Sequence, residues 1–147
     1  LTYVEDDTNS NNDFDRNFLR NEIIPTLDRR WSKLSERAAF TSLTAKKKKL
    51  SLDFMLESTF KKEIYSGTIA REDFIDIPSF LIEELIRLIL RKKGVALPNQ
   101  KVLSEIMNVF FLKKPSNKSY VEWSRKDGEQ IGGKVFSEFN DIIFEQK

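Results

Sequence analysis

The passage from Pro78 to Gly94 constrains the fold most, because it predicts a helix that must lie inside the protein. Ser79 is a residue type that caps helix N-termini, and Gly94 stands just past the expected C-terminal end. Apolar residues cover most of the circumference between them, namely Leu81, Ile82, Leu85, Ile86, Leu88 and Ile89. A helix that is apolar nearly all round is stable only when other elements surround it. We therefore predict this helix, from Phe80 to Lys93, at the centre of the core.

A second, longer helix is predicted before it. Ser32 is expected to cap this helix, which runs to about Ile64 and stops at Gly67. Its apolar residues form two stripes at helical spacing: Leu43, Leu50 and Phe54 on one, and Leu56, Phe60 and Ile64 on the other.

Shorter elements flank the central helix. Residues 68–77 contain isolated apolar residues and predict a short extended piece. Pro98-Asn99 is expected to open another helix that runs to about Leu112. The buried face of that helix comprises Leu103, Ile106 and Phe110.

The pattern after Pro115 predicts a small antiparallel β-meander. Residues 119–124 alternate as a strand does, and Asp127-Gly128 and Asn140-Asp141 are turn signals. Four aromatic residues either seal this sheet against the helices or offer rings for base stacking: Trp123, Phe136, Phe139 and Phe144. The fold class is therefore mainly α, with a small C-terminal antiparallel β-meander.

Composition limits the chemistry of the chain. Its 147 residues, of which 39% are hydrophobic, suffice for one compact core with an appended leader. Cys and His are both absent, which removes the commonest nucleophiles, general bases and transition-metal ligands. We expect no metal site, and we expect any enzymatic chemistry to lie elsewhere. The chain has no apolar run of about 20 residues and no signal segment, so we predict a soluble, cytoplasmic protein.

The first residues suggest a part of a larger protein, and the glycines limit what this part can bind. Leu1-Thr2-Tyr3-Val4 has the pattern of a strand entered midway, so we expect the chain to be a fragment. The 5 glycines form no phosphate-binding loop or dinucleotide fingerprint. Gly132-Gly133 is the only glycine pair, and a bulge or bend explains it better. The chain alone is not expected to bind ATP productively.

Charge is distributed unevenly along the chain. Residues 1–15 hold five acidic residues and no Lys or Arg, so residues 16–147 carry 25 basic against 18 acidic residues, a net charge of +7. The basic clusters are Arg29-Arg30, Lys46 to Lys49, Lys61-Lys62, Arg91 to Lys93 and Lys113-Lys114. Such clusters attract a phosphate backbone, although each is also compatible with ordinary solvated surface.

Arg16 and Arg20 begin an amphipathic helix directly after the acidic leader. At about 100° per residue both project from one face, where we expect them to border a buried stripe with Leu19 and Ile23. Partly desolvated guanidiniums held in a fixed direction suit bidentate binding of phosphate or carboxylate. Alternatively, both arginines pair with the acidic leader, at Glu5, Asp6 or Asp7, and only pin it to the helix.

The same helix has predicted boundaries. Asp13 or Asp15 is expected to cap its N-terminus, and Pro25 is expected to end or kink it.

The order of residues over 5–25 resembles that of the tRNA(Ile)-lysidine synthase family. The matching positions are Glu5-Asp6, Thr8-Asn9, Phe14, Arg16-Asn17, Arg20 and Pro25, and Leu27 and Arg30-Trp31 continue in the style of the family. The family more often has Ser at the position of Thr8 and Tyr at that of Phe14, so any role of a phenol at Phe14 is lost. The resemblance is specific over about a sixth of the chain, and later segments resemble the family only in pattern.

The resemblance implies a domain organisation. Residues 1–15 would be the end of a PP-loop ATPase domain and a linker. Residues 16–115 would form a helical tRNA-binding domain, the substrate-binding part of the fold, and residues 116–147 a β-meander packed on it.

The resemblance also implies a function. The parent enzyme would use ATP and Mg²⁺ to ligate L-lysine to C2 of cytidine 34 in the CAU anticodon of tRNA(Ile). A homodimer is its candidate assembly, and no membrane partner is expected. Arg16 and Arg20 would be catalytic, contacting phosphates or the target nucleotide, and Asn17 would hold the backbone or a sugar. The tRNA body would contact Arg29, Arg30, Lys46, Lys47, Lys48 and Lys49. The fragment alone would bind no cofactor and would be inactive.

Two alternatives remain open at this point. The chain is also compatible with the tRNA-binding region of another PP-loop tRNA-modifying enzyme. From a different class, it is compatible with a helical module that binds protein through the apolar edge of its long helix, without enzymatic activity.

Overall fold

The computed structural model describes residues 11–124 and 131–147. The chain divides into two compact units, residues 1–51 and residues 52–147, here called the N-terminal and C-terminal units. The predicted domain boundaries at residues 15 and 115 stay predictions. No helix in the described part of the chain is long and apolar enough to cross a membrane.

Helical turns fill the described part of the N-terminal unit. Helix α1 (Asp15–Phe18) leads through a π-helical stretch (Leu19–Ile23) into α2 (Ile24–Arg30), and α3 (Leu34–Thr59) begins in this unit. The predicted end at Pro25 is wrong, because this residue lies in the first turn of α2, where a missing N–H costs no hydrogen bond.

Three predicted caps are also wrong. Phe14 occupies the cap position of α1, so neither Asp13 nor Asp15 caps it. Lys33, with a left-handed φ of 66°, precedes α3 in place of the predicted Ser32. Pro78 precedes the central helix, whose first residue is Ser79, and no side chain caps it. A cap requires one backbone conformation as well as a suitable side chain, and the sequence shows only the second.

The long helix divides near its end. Helix α3 stops at Thr59, and α4 (Lys61–Ser66) follows after Phe60, whose φ of −116° and ψ of 38° are not helical. The predicted stop at Gly67 is confirmed, with a left-handed φ of 74°. Of the two predicted stripes, Leu56 and Ile64 are buried with Phe60 half-buried, whereas Leu43, Leu50 and Phe54 are exposed.

The central helix is confirmed as α5 (Ser79–Lys92), and Gly94 follows it with a φ of 67°. Its buried residues form the middle of the core: Ile82, Leu85, Ile86, Leu88, Ile89 and Leu90. Asn99 caps the next helix, α6 (Gln100–Ile106), by accepting a hydrogen bond of 3.0 Å from the Val102 amide. A π-helical stretch (Met107–Leu112) continues it to the predicted end.

In the described part of the chain, four antiparallel strands cover these helices in the order β1-β4-β3-β2. The strands are β1 (Thr68–Ala70), β2 (Tyr120–Trp123), β3 (Gly133–Glu138) and β4 (Asp141–Gln146). The predicted meander is confirmed as β2, β3 and β4. The short extended piece predicted after Gly67 proves to be an edge strand, with Ile69 opposite Ile142. It is followed by a 3₁₀ turn (Arg71–Phe74).

The turn at Asn140 is confirmed, with left-handed φ values at Phe139 and Asn140. The other predicted turn, Asp127-Gly128, lies outside the described residues. Gly133 pairs regularly with Trp123, so no bulge lies there, and a Cβ at Gly133 would be 2.3 Å from the indole ring.

Four aromatic residues of the sheet differ in burial. Trp123 and Phe144 are buried, and the indole Nε1 of Trp123 donates a hydrogen bond of 2.6 Å to the Ala96 carbonyl. These two seal the sheet against the helices, as one of the two readings predicted. Phe136 is half-buried, and Phe139 is 88% exposed at the hairpin tip.

Candidate nucleic-acid interface

The excess positive charge lies entirely in residues 16–51. This segment holds ten basic residues and three acidic ones, a net charge of +7, whereas residues 52–147 hold fifteen of each and are neutral. The ten cations are Arg16, Arg20, Arg29, Arg30, Lys33, Arg37 and Lys46 to Lys49. All the residues that the sequence predicts to bind substrate belong to this segment.

Arg16 and Arg20 lie on the solvent-exposed surface of α1 and the π-helical stretch. Within residues 11–124 and 131–147, neither guanidinium forms an ion pair. The predicted buried stripe beside them is wrong, since Leu19 is 49% exposed. The short helix α1 and the short π-helical stretch offer too little apolar surface to cover Leu19. The alternative partners Glu5, Asp6 and Asp7 lie outside the described residues.

Asn17 holds the residues that lead into this helix. Its side chain is only 3% exposed, and its Nδ2 donates a hydrogen bond of 2.8 Å to the carbonyl of Asn11. Asn12 lies alongside, accepting from Asn21 Nδ2 at 2.9 Å and donating to Glu22 Oε1 at 3.2 Å. Among the described residues, therefore, side-chain amides fasten the leader to the helix.

Arg29 and Arg30 are exposed in the last turn of α2. The Nη2 of Arg29 donates a hydrogen bond of 3.1 Å to the hydroxyl of Thr26, one turn earlier. This bond restricts the directions that the guanidinium can take.

Asp28 joins the end of α2 to the start of α3. Its Oδ1 accepts a hydrogen bond of 3.0 Å from the Ser35 amide, and its Oδ2 accepts one from the Ser35 hydroxyl. These bonds, the one from the hydroxyl most of all, lower the pKa of Asp28. The carboxylate therefore satisfies an amide in the first turn of α3, which is the task of a capping side chain.

Lys46 to Lys49 spread over about 300° of the circumference of α3, because each residue is rotated by about 100° from the one before it. Lys46, Lys47 and Lys48 are exposed, and Lys49 is half-buried. One flat partner can meet two or three of these ammonium groups at once, while a partner that wraps round the helix can meet more.

The basic cluster Arg91 to Lys93 has a structural role. Arg91 Nη2 lies 2.9 Å from Asp53 Oδ1, and Lys92 Nζ lies 2.9 Å from Glu57 Oε1. The stem of Lys93 covers Gly67, where a Cβ would meet it at 1.8 Å. These side chains tie α5 to the end of α3 and to the turn after α4.

The sequence did not reveal the residues that position the cations. Asp28, Asn11 and Asn12 escaped prediction because their partners are six to ten residues away, farther than the two or three residues that a helix cap spans. The run of asparagines between residues 9 and 12 is the one signal that could have indicated a hydrogen-bonded leader.

Guanidinium and ammonium groups of this kind bind and orient phosphates but supply no nucleophile. No glycine-rich turn accompanies Arg16 and Arg20 in the sequence. In the described residues, no three His, Cys, Asp or Glu side chains are grouped so as to hold a metal ion.

Comparison with known proteins gives a consistent set of relatives, although no family model matches the chain. It is 34% identical over 102 residues to a tRNA(Ile)-lysidine synthase of Buchnera aphidicola from Acyrthosiphon pisum, over 69% of the chain and 23% of that relative. It is 30% identical over 111 residues to the protein of the same name from Actinobacillus pleuropneumoniae, over 73% and 26%. It is 32% identical over 104 residues to that from Vibrio parahaemolyticus, over 70% and 24%. The chain thus spans about a quarter of the length of the curated relatives that it matches.

Proposed function

Because the chain belongs to the tRNA(Ile)-lysidine synthase family, we propose that it is a tRNA-binding part of an enzyme that modifies the isoleucine tRNA with a CAU anticodon. The observation that carries the proposal is the confinement of the net charge of +7 to residues 16–51. A polyanion releases bound counterions when such a surface neutralises its phosphates, which drives association and makes it sensitive to salt.

The proposed reaction of the whole enzyme is a ligation in two steps. ATP adenylates the C2 oxygen of cytidine 34 and releases pyrophosphate. The side-chain amine of lysine then attacks C2, the C–O bond breaks, AMP leaves with the oxygen, and the amine loses a proton. The residues of this chain contribute binding and orientation to these steps.

Arg16 and Arg20 are proposed to hold phosphates of ATP or of the target nucleotide. Their exposure and their lack of ion pairs within the described residues leave both guanidiniums accessible to an anion. Asn17 is proposed to fix the backbone that carries them, which its burial and its bond to Asn11 support. Arg29, Arg30 and Lys46 to Lys49 are proposed to contact the tRNA body.

The proposal is tested with the full-length enzyme that contains this chain, ATP, Mg²⁺, radiolabelled lysine and two transcripts. Label retained on isoleucine tRNA with a CAU anticodon, and absent from elongator methionine tRNA, is the expected result. Salt-sensitive binding of tRNA without label on either transcript would keep the nucleic-acid role and assign the chain to another PP-loop tRNA-modifying enzyme.

A second candidate function is protein binding through α3. Phe40, Leu43 and Leu50 are exposed along the part of this helix that lies in the N-terminal unit, at spacings of three and seven residues. Such spacing places them on one side of the helix, as in a coiled-coil seam. Ionic strength separates the candidates, because tRNA binding weakens steeply with salt while apolar docking hardly changes.

A further inference from the structure

We propose that a cleft in the C-terminal unit binds one unpaired base of the tRNA, and that Phe54 and Tyr65 provide its stacking surfaces. The inference rests on the proposed tRNA-binding function and adds a site in the charge-neutral unit. Phe54 and Tyr65 are not among the residues that the sequence predicts to bind substrate.

The cleft lies where α3 gives way to α4. It has a volume of about 280 Å³ and is lined by Phe54, Glu57, Ser58, Lys61 and Tyr65. The non-helical backbone of Phe60 ends α3, so the first turns of α4 bring Lys61 and Tyr65 beside the last turns of α3. Its volume lies just below the roughly 300–1,000 Å³ of small-molecule sites, so it has room for one base and not for a larger ligand.

Its two aromatic side chains face solvent. Phe54 is 73% exposed and Tyr65 is 60% exposed, although the core of the same unit is close by at Leu56 and Ile64. An exposed ring gains little in the free protein, but it can stack on a nucleobase, which is worth roughly 1–3 kcal/mol per base. Two such rings in one cleft favour a flat, apolar-faced ligand.

Hydrogen bonds hold the Tyr65 ring in place. Its hydroxyl donates to Glu57 Oε1 at 2.7 Å, and Lys92 Nζ donates to the same oxygen at 2.9 Å. The ammonium of Lys92 also lies 5.8 Å from the centroid of the Tyr65 ring. A tyrosine fixed in this way loses less conformational freedom on binding than a free one.

The charge of the cleft fits a nucleotide. Glu57 is its one carboxylate, and the bonds from Tyr65 and Lys92 lower the pKa of Glu57, so it is ionised and paired at neutral pH. Lys61 supplies the ammonium group of the described lining, and Lys92 adds another at Glu57, so the cleft and Lys92 together carry a net positive charge. A phosphate on the same nucleotide as the stacked base is attracted to Lys61.

An unpaired base is the required form, because a base within a duplex is already stacked on both faces. Recognition of RNA through aromatic side chains is typical of loops and single strands for this reason. The cleft is therefore expected to bind a loop nucleotide or a single-stranded end of the tRNA.

The test uses the whole chain and a transcript of isoleucine tRNA with a CAU anticodon, with affinity measured by fluorescence anisotropy at fixed salt. Phe54→Leu is expected to raise Kd about 5–10-fold, and Tyr65→Leu likewise, because each removes a stacking ring. Tyr65→Phe keeps the ring and loses only the bond to Glu57, so its Kd should rise less than that of Tyr65→Leu. Phe139→Leu, which removes a still more exposed ring at the hairpin tip, is the control and should leave Kd unchanged.

A second readout is Phe54→Trp, whose fluorescence should be quenched by a ten-residue oligouridylate if bases stack there. Unchanged affinity in Phe54→Leu and Tyr65→Leu, while the wild-type chain binds tRNA in a salt-sensitive way, would overturn the cleft and leave the proposed function standing. Equal losses in Phe54→Leu and Phe139→Leu would also overturn it, since the effect would then not be local. No salt-sensitive binding by the wild-type chain would overturn both.

Discussion

Residues 16–51 and residues 52–147 differ in both charge and burial. The first segment carries a net charge of +7 and the second is neutral. In the described parts of the chain, every buried hydrophobic residue lies at Leu56 or beyond, whereas the one buried residue of the first segment is Asn17. The second region is thus organised around its own core, and the first offers exposed cations and apolar side chains. Stability and binding are therefore expected to respond to different sets of substitutions.

The largest effect on stability is expected in α5. Leu85→Ala should lower the free energy of unfolding by about 2–5 kcal/mol, because it leaves a cavity beside the central helix. Leu43→Ala, the same change at an exposed position of α3, should cost less than about 0.5 kcal/mol. Urea unfolding followed by circular dichroism measures both. Equal costs would mean that α3 is buried in solution.

Arginines of the two regions should behave in opposite ways. In the full-length enzyme, Arg20→Ala is expected to reduce turnover about 100-fold or more, with a melting temperature within a few degrees of wild type, because it removes the proposed phosphate contact. Arg91→Ala leaves Asp53 without its guanidinium partner and should lower the melting temperature with turnover kept at permissive temperature. Unchanged turnover in Arg20→Ala would remove Arg20 from the site.

A third test concerns the seal between the sheet and the helices. Trp123→Phe removes the donor to the Ala96 carbonyl and leaves that buried acceptor unsatisfied, which should cost about 1–3 kcal/mol in urea unfolding. Affinity for tRNA, measured under conditions where the variant is folded, should not change. A loss of affinity in the folded variant would connect the core to the interface and weaken the contrast between the regions.

The smallest effect is expected at Asp28 and should depend on pH. Its pKa is lowered by folding, so the stabilisation it provides is present above its unfolded pKa of about 3.9 and is lost as pH falls through the lower folded value. Asp28→Asn should remove this pH dependence in hydrogen exchange of the amides that begin α3. The same pH dependence in Asp28→Asn would assign it to another carboxylate.

Sequence patterns predicted those features that depend on neighbours along the chain. The apolar circumference of α5, the helix ends at Gly67 and Gly94, and the helix that opens after Pro98-Asn99 all follow from local chemistry. The position of strand β1 at the edge of the sheet could not be predicted, because Ile69 of β1 pairs with Ile142, more than seventy residues away. The break between α3 and α4 at Phe60 was missed for a different reason, because the amphipathic pattern continues across it.

The candidate interface was predicted in composition but not in arrangement. The arginine spacing identified Arg16 and Arg20, yet their exposure depends on which elements are available to cover Leu19. The net charge of residues 16–147 as a whole does not show that residues 52–147 are neutral. Only the charges of the two regions taken separately show this. The hydrogen bonds of Asn17 and Asp28 depend on how the chain folds back on itself, which no local pattern in the sequence shows.

The central claim is that the basic segment binds tRNA, and the dependence of its affinity on salt tests this most directly. Isoleucine tRNA is titrated over a range of salt concentrations with the wild-type chain, with Lys46 to Lys49 changed to Ala, and with a matched control in which four exposed lysines of the neutral region are changed to Ala: Lys101, Lys113, Lys114 and Lys118. Each lost phosphate contact should reduce the slope of log K against log salt by about 0.7–0.9. The account predicts weaker binding and a flatter slope in the first variant only. Equal slopes in all three proteins would contradict it.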